Sequence, residues 1–244
     1  MKLTILGKHG PWPAAGSACS GYLLEAGGAR LLLDCGCGVL GKLQEHCPIE
    51  RLDAVILSHL HADHMGDMLV LRYALPQLIA KGLRKATPMP VYLPGSPEDM
   101  AGILLSDKSF ASKTVKGGDI VDFNGIRLTF FAVRHPVPCN AVRIEHGGKS
   151  FIYSGDMNAT EGFEEFARGA DLLLIDGCFP EKEWNGSLPH LSAFLAAGMG
   201  KRAGARRTML THFRPIDDEA ALLDEARREN PAIEAAQAGF TYAI

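Results

Sequence analysis

Ser58-His59-Leu60-His61-Ala62-Asp63-His64-Met65-Gly66-Asp67 places three histidines and an aspartate within six positions. Directly before it, Ala54-Val55-Ile56-Leu57 reads as a short buried strand, and from Met65 to about Gly82 apolar residues recur at helical spacing. The stretch therefore lies on a strand-to-helix turn, at the carboxyl end of the strand, where open α/β sheets hold their ligands. Alternate residues of an extended segment share a face, so His59, His61 and Asp63 are expected to point one way, with His64 joining as the chain turns. Imidazole and carboxylate are the ligands that a borderline divalent ion such as zinc accepts. A lone histidine is more often a core or surface residue, but three of the nine in this 244-residue chain stand here beside a carboxylate. Four donors from one turn crowd a single tetrahedral ion, because adjacent Asp63 and His64 converge poorly with the other two. Two neighbouring ions relieve the crowding, His59 and His61 on one and Asp63 and His64 on the other. That is a two-metal hydrolytic site in outline.

Working outward, acids and histidines recur at the ends of apolar runs. Before the motif, the chain reads as strands near residues 3–7, 20–26 and 29–35, with the Gly- and Pro-rich loop His9 to Ser17 between the first two. Trp12 in that loop has two readings, stacking on a substrate ring or covering the core edge. Leu31-Leu32-Leu33-Asp34 ends in an acid that either braces the motif histidines from behind or forms a turn. A helix is expected near 38–46. After the motif come a strand at Val91-Tyr92-Leu93 and a helix opening with Ser96 as N-cap and Pro97 at its first position. Asn124-Gly125 signals a tight hairpin, whose second strand, Ile126 to Val133, delivers His135. Ser150 to Tyr153 delivers Asp156, Ala170 to Ile175 delivers Asp176, and Thr208 to Thr211 delivers His212. Helical patterns are expected from His190 to Arg202 and over 217–229, and a final strand pair closes the chain. The pattern alone says α/β.

His59-x-His61-x-Asp63-His64 resembles the HxHxDH signature of the metallo-β-lactamase superfamily, in its two-metal hydrolase branch. Leu31 to Gly36, Tyr153-Ser154-Gly155-Asp156 and Thr208 to Phe213 are similar to further landmarks of that family, in the same order along nearly the whole chain. The resemblance implies a single domain over 1–244 with a four-layer αββα sandwich. It puts His59, His61 and His135 on one ion and Asp63, His64 and His212 on the other, with Asp156 and a nucleophilic hydroxide between them. Two divalent ions are the implied cofactors, zinc foremost and manganese as the alternative. Seven ligands for two ions leave open positions, as a catalytic site requires. Asp63, His190 and Asp176 are the catalytic candidates. His190 is expected to be the general acid and Asp176 to orient it; the plainer reading is that His190 caps or packs a helix.

The stretch His135 to Ile144 and the 22-residue step from His190 to His212 resemble ribonuclease Z and related phosphodiesterases. Ribonuclease Z enzymes insert a long arm that grips tRNA before the bridging aspartate. Here only 21 positions separate His135 from Asp156, enough for one hairpin. The expectation is therefore a phosphodiesterase acting on small phosphodiesters or nucleotides, without tRNA as a partner. Lactone, thioester or sulfate-ester hydrolysis stays open, as does ribonuclease Z-type processing. A regulatory module that binds metal without turnover is disfavoured because no ligand position is missing.

Composition agrees. A formal charge of −3 gives no electrostatic reason for a nucleic-acid surface. The clusters Lys81 to Lys85 and Lys201 to Arg207 fall at helix ends, where cations are favourable in any case. The six cysteines contain no CxxC pair, so neither a zinc knuckle nor a disulfide framework is signalled. No run approaches a membrane span and the start lacks a signal peptide, so a cytoplasmic setting is expected. A homodimer is compatible with the sequence.

Overall fold

The runs Leu31-Leu32-Leu33, Phe151-Ile152-Tyr153 and Leu172-Leu173-Leu174-Ile175 are apolar at every position, as strands buried on both faces must be. The computed structural model, which describes residues 1–244, shows where each face goes. Leu31, Leu33, Phe151, Tyr153, Leu172 and Leu174 share one core between two sheets. Leu32 and Val55 turn to a second core beneath helices, and Ile152, Leu173 and Ile175 to a third on the opposite side. Three apolar layers thus separate four structural layers, and the αββα sandwich follows from the alternation.

The first sheet has seven strands: β1 (Lys2–Gly7), β2 (Gly21–Ala26), β3 (Ala29–Leu33), β4 (Ala54–Ile56), β5 (Met89–Leu93), β6 (Phe110–Thr114) and β14 (Thr241–Ala243). Their spatial order is β14-β1-β2-β3-β4-β5-β6. The second sheet holds β7 (Ile120–Phe123), β8 (Ile126–Val133), β9 (Cys139–His146), β10 (Lys149–Tyr153), β11 (Leu172–Asp176), β12 (Thr208–Thr211) and β13 (Glu234–Ala235), in the order β13-β12-β11-β10-β9-β8-β7. Helices α1 (Val39–Leu43), α2 (Ala62–Met65), α3 (Met68–Ala80) and α4 (Glu98–Leu105) belong to the first half, and α5 (Phe163–Phe166), α6 (Ala193–Arg202) and α7 (Glu219–Glu229) to the second. The pairs β3–β4, β10–β11 and β11–β12 are parallel, so their carboxyl ends coincide within each sheet, and the Tyr153–Asp34 hydrogen bond (2.7 Å) between the ends of β10 and β3 puts both sets at one edge of the sandwich. β8 and β10 both run antiparallel to β9, which brings the end of β8 to that edge too. Asp34, His59, His135, Asp156, Asp176 and His212 are all delivered there.

Several local expectations need correction. The helical pattern from Met65 is broken at Gly66-Asp67, because the Asp67 carboxylate accepts from the Leu40 amide (2.9 Å) and ties the break to α1. Pro97, with ψ 139°, is itself the residue before α4, so Ser96 is not its cap. His190 lies outside α6: Ser192 accepts from the Leu195 amide and starts that helix at Ala193. The last two strands do not pair with each other. β13 adds to β12 and β14 to β1, one in each sheet. The Asn124-Gly125 turn is as expected, both residues having positive φ (53° and 79°) between β7 and β8.

Candidate metal centre and active site

The chain turns helical at Ala62, one residue before Asp63. The alternation that aligns His59 with His61 therefore stops, and Asp63 is rotated away from them to join His64. This local turn sorts the motif into two groups. His59, His61, His135 and Asp156 present ligand-type atoms within 4.8 Å of one another, and so do Asp63, His64, Asp156 and His212. Asp156 belongs to both.

Within the first group, three ring nitrogens face a common point. His59 Nε2 lies 3.0 Å and His135 Nε2 3.1 Å from His61 Nδ1. The far side of each outer ring fixes its tautomer. His135 Nδ1 donates to the Pro189 carbonyl (3.2 Å), which can only accept, so Nε2 keeps its lone pair. Ser58 Oγ gives its one proton to Asp34 Oδ2 (2.7 Å) and therefore accepts from His59 Nδ1 (3.0 Å), leaving His59 Nε2 as a lone pair too. One proton on His61 cannot satisfy both lone pairs. A cation can.

The second group is closed. His64 Nδ1 donates to Asp34 Oδ2 (2.7 Å), while its Nε2 points at Asp156 Oδ2 (3.1 Å) and Asp63 Oδ2 (3.5 Å). His212 Nδ1 is 3.2 Å from both Asp156 Oδ1 and Ser20 Oγ. His64 Nε2 and Asp156 Oδ1 are buried without a hydrogen-bond partner, a costly state for groups of this kind. Burial pushes the His59 and His61 imidazoles below their ordinary range, His135 down to about 4 and His212 to about 3. These rings are neutral, which is the form a metal takes. Burial opposes the charge on Asp156, but His212, His64 and His59 around it hold the carboxyl well below the usual range. Burial opposes charge on His64 too, but the Asp156 and Asp34 carboxylates outweigh it and raise that imidazole well above its ordinary range. Four neutral imidazoles, an ionised carboxylate shared by two groups, and orphaned atoms aimed inward fit a pair of divalent cations, which would take the place of the proton on His64.

Asp34 is the anchor behind the motif. It is fully buried, has a left-handed backbone (φ 55°), and accepts from Ser58 N and Oγ, His64 and Tyr153 OH, each at 2.7 Å. His212 shares the unusual backbone (φ 63°). Such conformations cost about 1–3 kcal/mol and persist where their surroundings enforce them. Beside His212 the backbone is held by the entry to the Gly-rich loop, since Phe213 N–H donates to Lys8 O (2.9 Å) and Gly10 N–H to Phe213 O (3.1 Å), and the loop lies so close that a Cβ on Gly10 would sit about 2.0 Å from the imidazole. That loop packs against the site through its backbone, while Trp12 remains 44% exposed.

His190 and Asp176 form a pair at the rim. His190 Nδ1 donates to Asp176 Oδ2 (2.8 Å), which also accepts from the Met157 amide (3.0 Å). Burial opposes charge on His190, but the Asp176 carboxylate outweighs it and raises the imidazole to about 9. The ring lies 4.8 Å from that of His212 and 5.4 Å from that of His135, centroid to centroid. Sequence reasoning missed Ser58, Tyr153 and Ser20. Ser58 adjoins the motif and Tyr153 precedes Ser154-Gly155-Asp156, so position alone was a signal for those two.

Elsewhere, Arg202, Arg206 and Arg207 pair with Glu164, Asp171 and Glu234, and Lys201 donates to the Glu229 carbonyl. All six cysteines are free thiols, and no helix is long and apolar enough to cross a membrane.

Known proteins share this fold. A family model described as the β-lactamase superfamily domain matches residues 29–213. YhfI of Bacillus subtilis, a probable metallo-hydrolase, is 33% identical over 247 residues spanning 99% of each chain. Its crystal structure matches with a TM-score of 0.94 and 32% identity, covering 99% of this chain and 98% of that one. A ribonuclease Z of Methanopyrus kandleri is 26% identical across 98% of this chain and 96% of its own. A diphosphatase of the PhnP family shares the fold, with a TM-score of 0.78 and 18% identity over 99% of this chain and 96% of that one.

Proposed function

The chain belongs to the β-lactamase superfamily, as a metallo-hydrolase of that fold, and from this premise we propose that it is a dinuclear phosphodiesterase acting on small phosphodiesters or nucleotides. The observation that carries the proposal is the sharing of Asp156 by two donor groups, with His190 and Asp176 beside them. His59, His61 and His135 would hold one cation, Asp63, His64 and His212 the other, and Asp156 both. Zinc suits this donor set, and manganese is the alternative. When bound, such a pair supplies a water acidified to a pKa of about 7 and positive charge for a developing oxyanion.

The protein's own groups do the rest. Asp34 orients His64 directly and His59 through Ser58, so one buried carboxylate sets a ring in each group. Asp63 lines the closed group and ionises readily: burial opposes this, but the His64 imidazole beside it holds its pKa below the ordinary value. His190 has Nδ1 tied to Asp176, so Nε2 is the nitrogen left to meet a substrate and give a proton to a departing alkoxide. A positioned histidine contributes about 10²–10⁴-fold to such a transfer. Support for a small substrate comes from the residues between His135 and Asp156, which form only the β9–β10 hairpin. The names of the ribonuclease Z and diphosphatase relatives both denote cleavage at phosphorus.

The test is turnover of bis(p-nitrophenyl) phosphate and a nucleoside diester beside a lactone panel, a precursor tRNA and a metal-stripped control. Metal-dependent diester cleavage with poor tRNA processing is expected. Strong lactonase activity without diester turnover would overturn the proposal. His190→Ala should retain both metals, lose about 10²–10⁴-fold on the nucleoside diester, and be spared more on the p-nitrophenyl substrate, whose leaving group needs no proton. Equal losses on both would make His190 a phosphate binder instead.

A further inference from the structure

His190 is carried by a segment that has almost no core of its own. From Phe179 to His190 no residue is buried, whereas Leu191 and Ser192 directly after it are. Apolar packing therefore cannot fix the register of this stretch. Its first part is tied by Glu181, whose amide donates to Glu225 and whose carboxylate accepts from Ser192, and by Glu183, which pairs with Arg214. Over residues 184–190 four side-chain donors set the register instead, each to a main-chain carbonyl. Arg134 Nη2 donates to Gly186 O (2.5 Å), Asn158 Nδ2 to Leu188 O (2.5 Å), His135 Nδ1 to Pro189 O (3.2 Å) and Trp184 Nε1 to His190 O (3.1 Å). Three of these donors come from the loops that also carry His135 and Asp156, so the segment is aligned directly on the donor groups of the site.

The four are not equivalent. Arg134 is exposed, where a hydrogen bond competes with water, and His135 already belongs to the first donor group. Asn158 is 1% exposed and stands two residues after Asp156. Its amide N–H accounts for the Leu188 carbonyl, its Oδ1 accepts from the Ala159 amide (2.6 Å), and its own main-chain N–H donates to Arg134 O (2.9 Å). Trp184 closes the segment on itself by reaching six residues forward to the residue that carries the imidazole. We propose that Asn158 and Trp184 are positioning residues that clamp residues 184–190 so that the His190 ring meets Asp176 and faces the donor groups.

This inference rests on the reading of His190 as a proton donor for its kinetic consequence, but the clamp has a readout of its own. The variants are Asn158→Asp, which keeps the acceptor for Ala159 and replaces the donor to Leu188 by a carboxylate, and Trp184→Phe, which keeps the aromatic ring and removes its N–H. In zinc-loaded protein near neutral pH, ¹⁵N NMR of the imidazoles should show His190 in one form in the wild type, with Nδ1 protonated and held by Asp176 and Nε2 protonated as well. In both variants the His190 signals should shift or broaden, with zinc content unchanged. On the nucleoside diester kcat should fall about 10–100-fold, the range for groups that orient a functional histidine, with KM within about twofold and a smaller loss on the p-nitrophenyl substrate. His190→Ala combined with Asn158→Asp should be no worse than His190→Ala alone. An unchanged His190 spectrum in both variants would overturn the clamp. So would perturbed spectra with equal kcat losses on the two substrates. If the wild type cleaves no diester, the proposed function fails while the spectra still decide whether the clamp exists.

Discussion

The two donor groups that meet at Asp156 differ in how far they are closed from solvent. His61 and His135 of the first are partly exposed, and the residues across from them belong to the thinly packed segment before His190. Asp63, His64 and His212 of the second are buried, held by Asp34 and by the backbone of the His9-Gly10 loop. The buried group is part of the interior and shares its stability. The open group is where a substrate can arrive and where a cation can leave.

Asp156→Ala breaks the comparison at its root, since it removes the ligand common to both groups. Activity should fall by more than about 10⁴-fold, because the acidified water and the charge on the oxyanion are lost together. Steady-state turnover of the diester checks this, and a loss under tenfold would show that the groups act separately. Asp34→Ala comes next. It leaves Ser58, His64 and Tyr153 buried without their acceptor, and removing one partner of a buried charged pair costs about 3–5 kcal/mol. Urea unfolding should show that loss, whereas His61→Ala in the open group should cost less than about 1.5 kcal/mol. Equal losses would mean that the closed group is no more structural than the open one. The smallest effect is kinetic. Brief exposure to a chelator should release metal in two phases, the faster one abolished by His61→Ala and retained in His64→Ala. A single phase would remove the distinction between the groups.

How far the sequence could be read follows from the same contrast. The Ser58–Asp67 stretch is contiguous, so its donors and their likeness to a known signature are visible at once. His135, Asp156 and His212 were legible because each ends an apolar run. The residues that hold these donors were harder, because their partners are distant in the chain: Tyr153 reaches Asp34 across 119 positions and Asn158 reaches Leu188 across 30. Local pattern misjudged Asp63, since a turn one residue earlier replaced strand geometry by helix. It also misjudged the start of α6, expected at His190, since an apolar rhythm does not reveal that Ser192 caps the helix. β13 and β14 read as a pair because they are neighbours in sequence, yet each completes a different sheet by contacts no local turn encodes.

The central claim is a paired site with one shared carboxylate, and metal stoichiometry tests it most directly. Metal-free protein titrated with zinc and followed by calorimetry, with bound metal then measured by elemental analysis, should take up two equivalents per chain. Asp156→Ala should take up fewer. Saturation of the wild type at one equivalent in the presence of excess zinc would contradict the account.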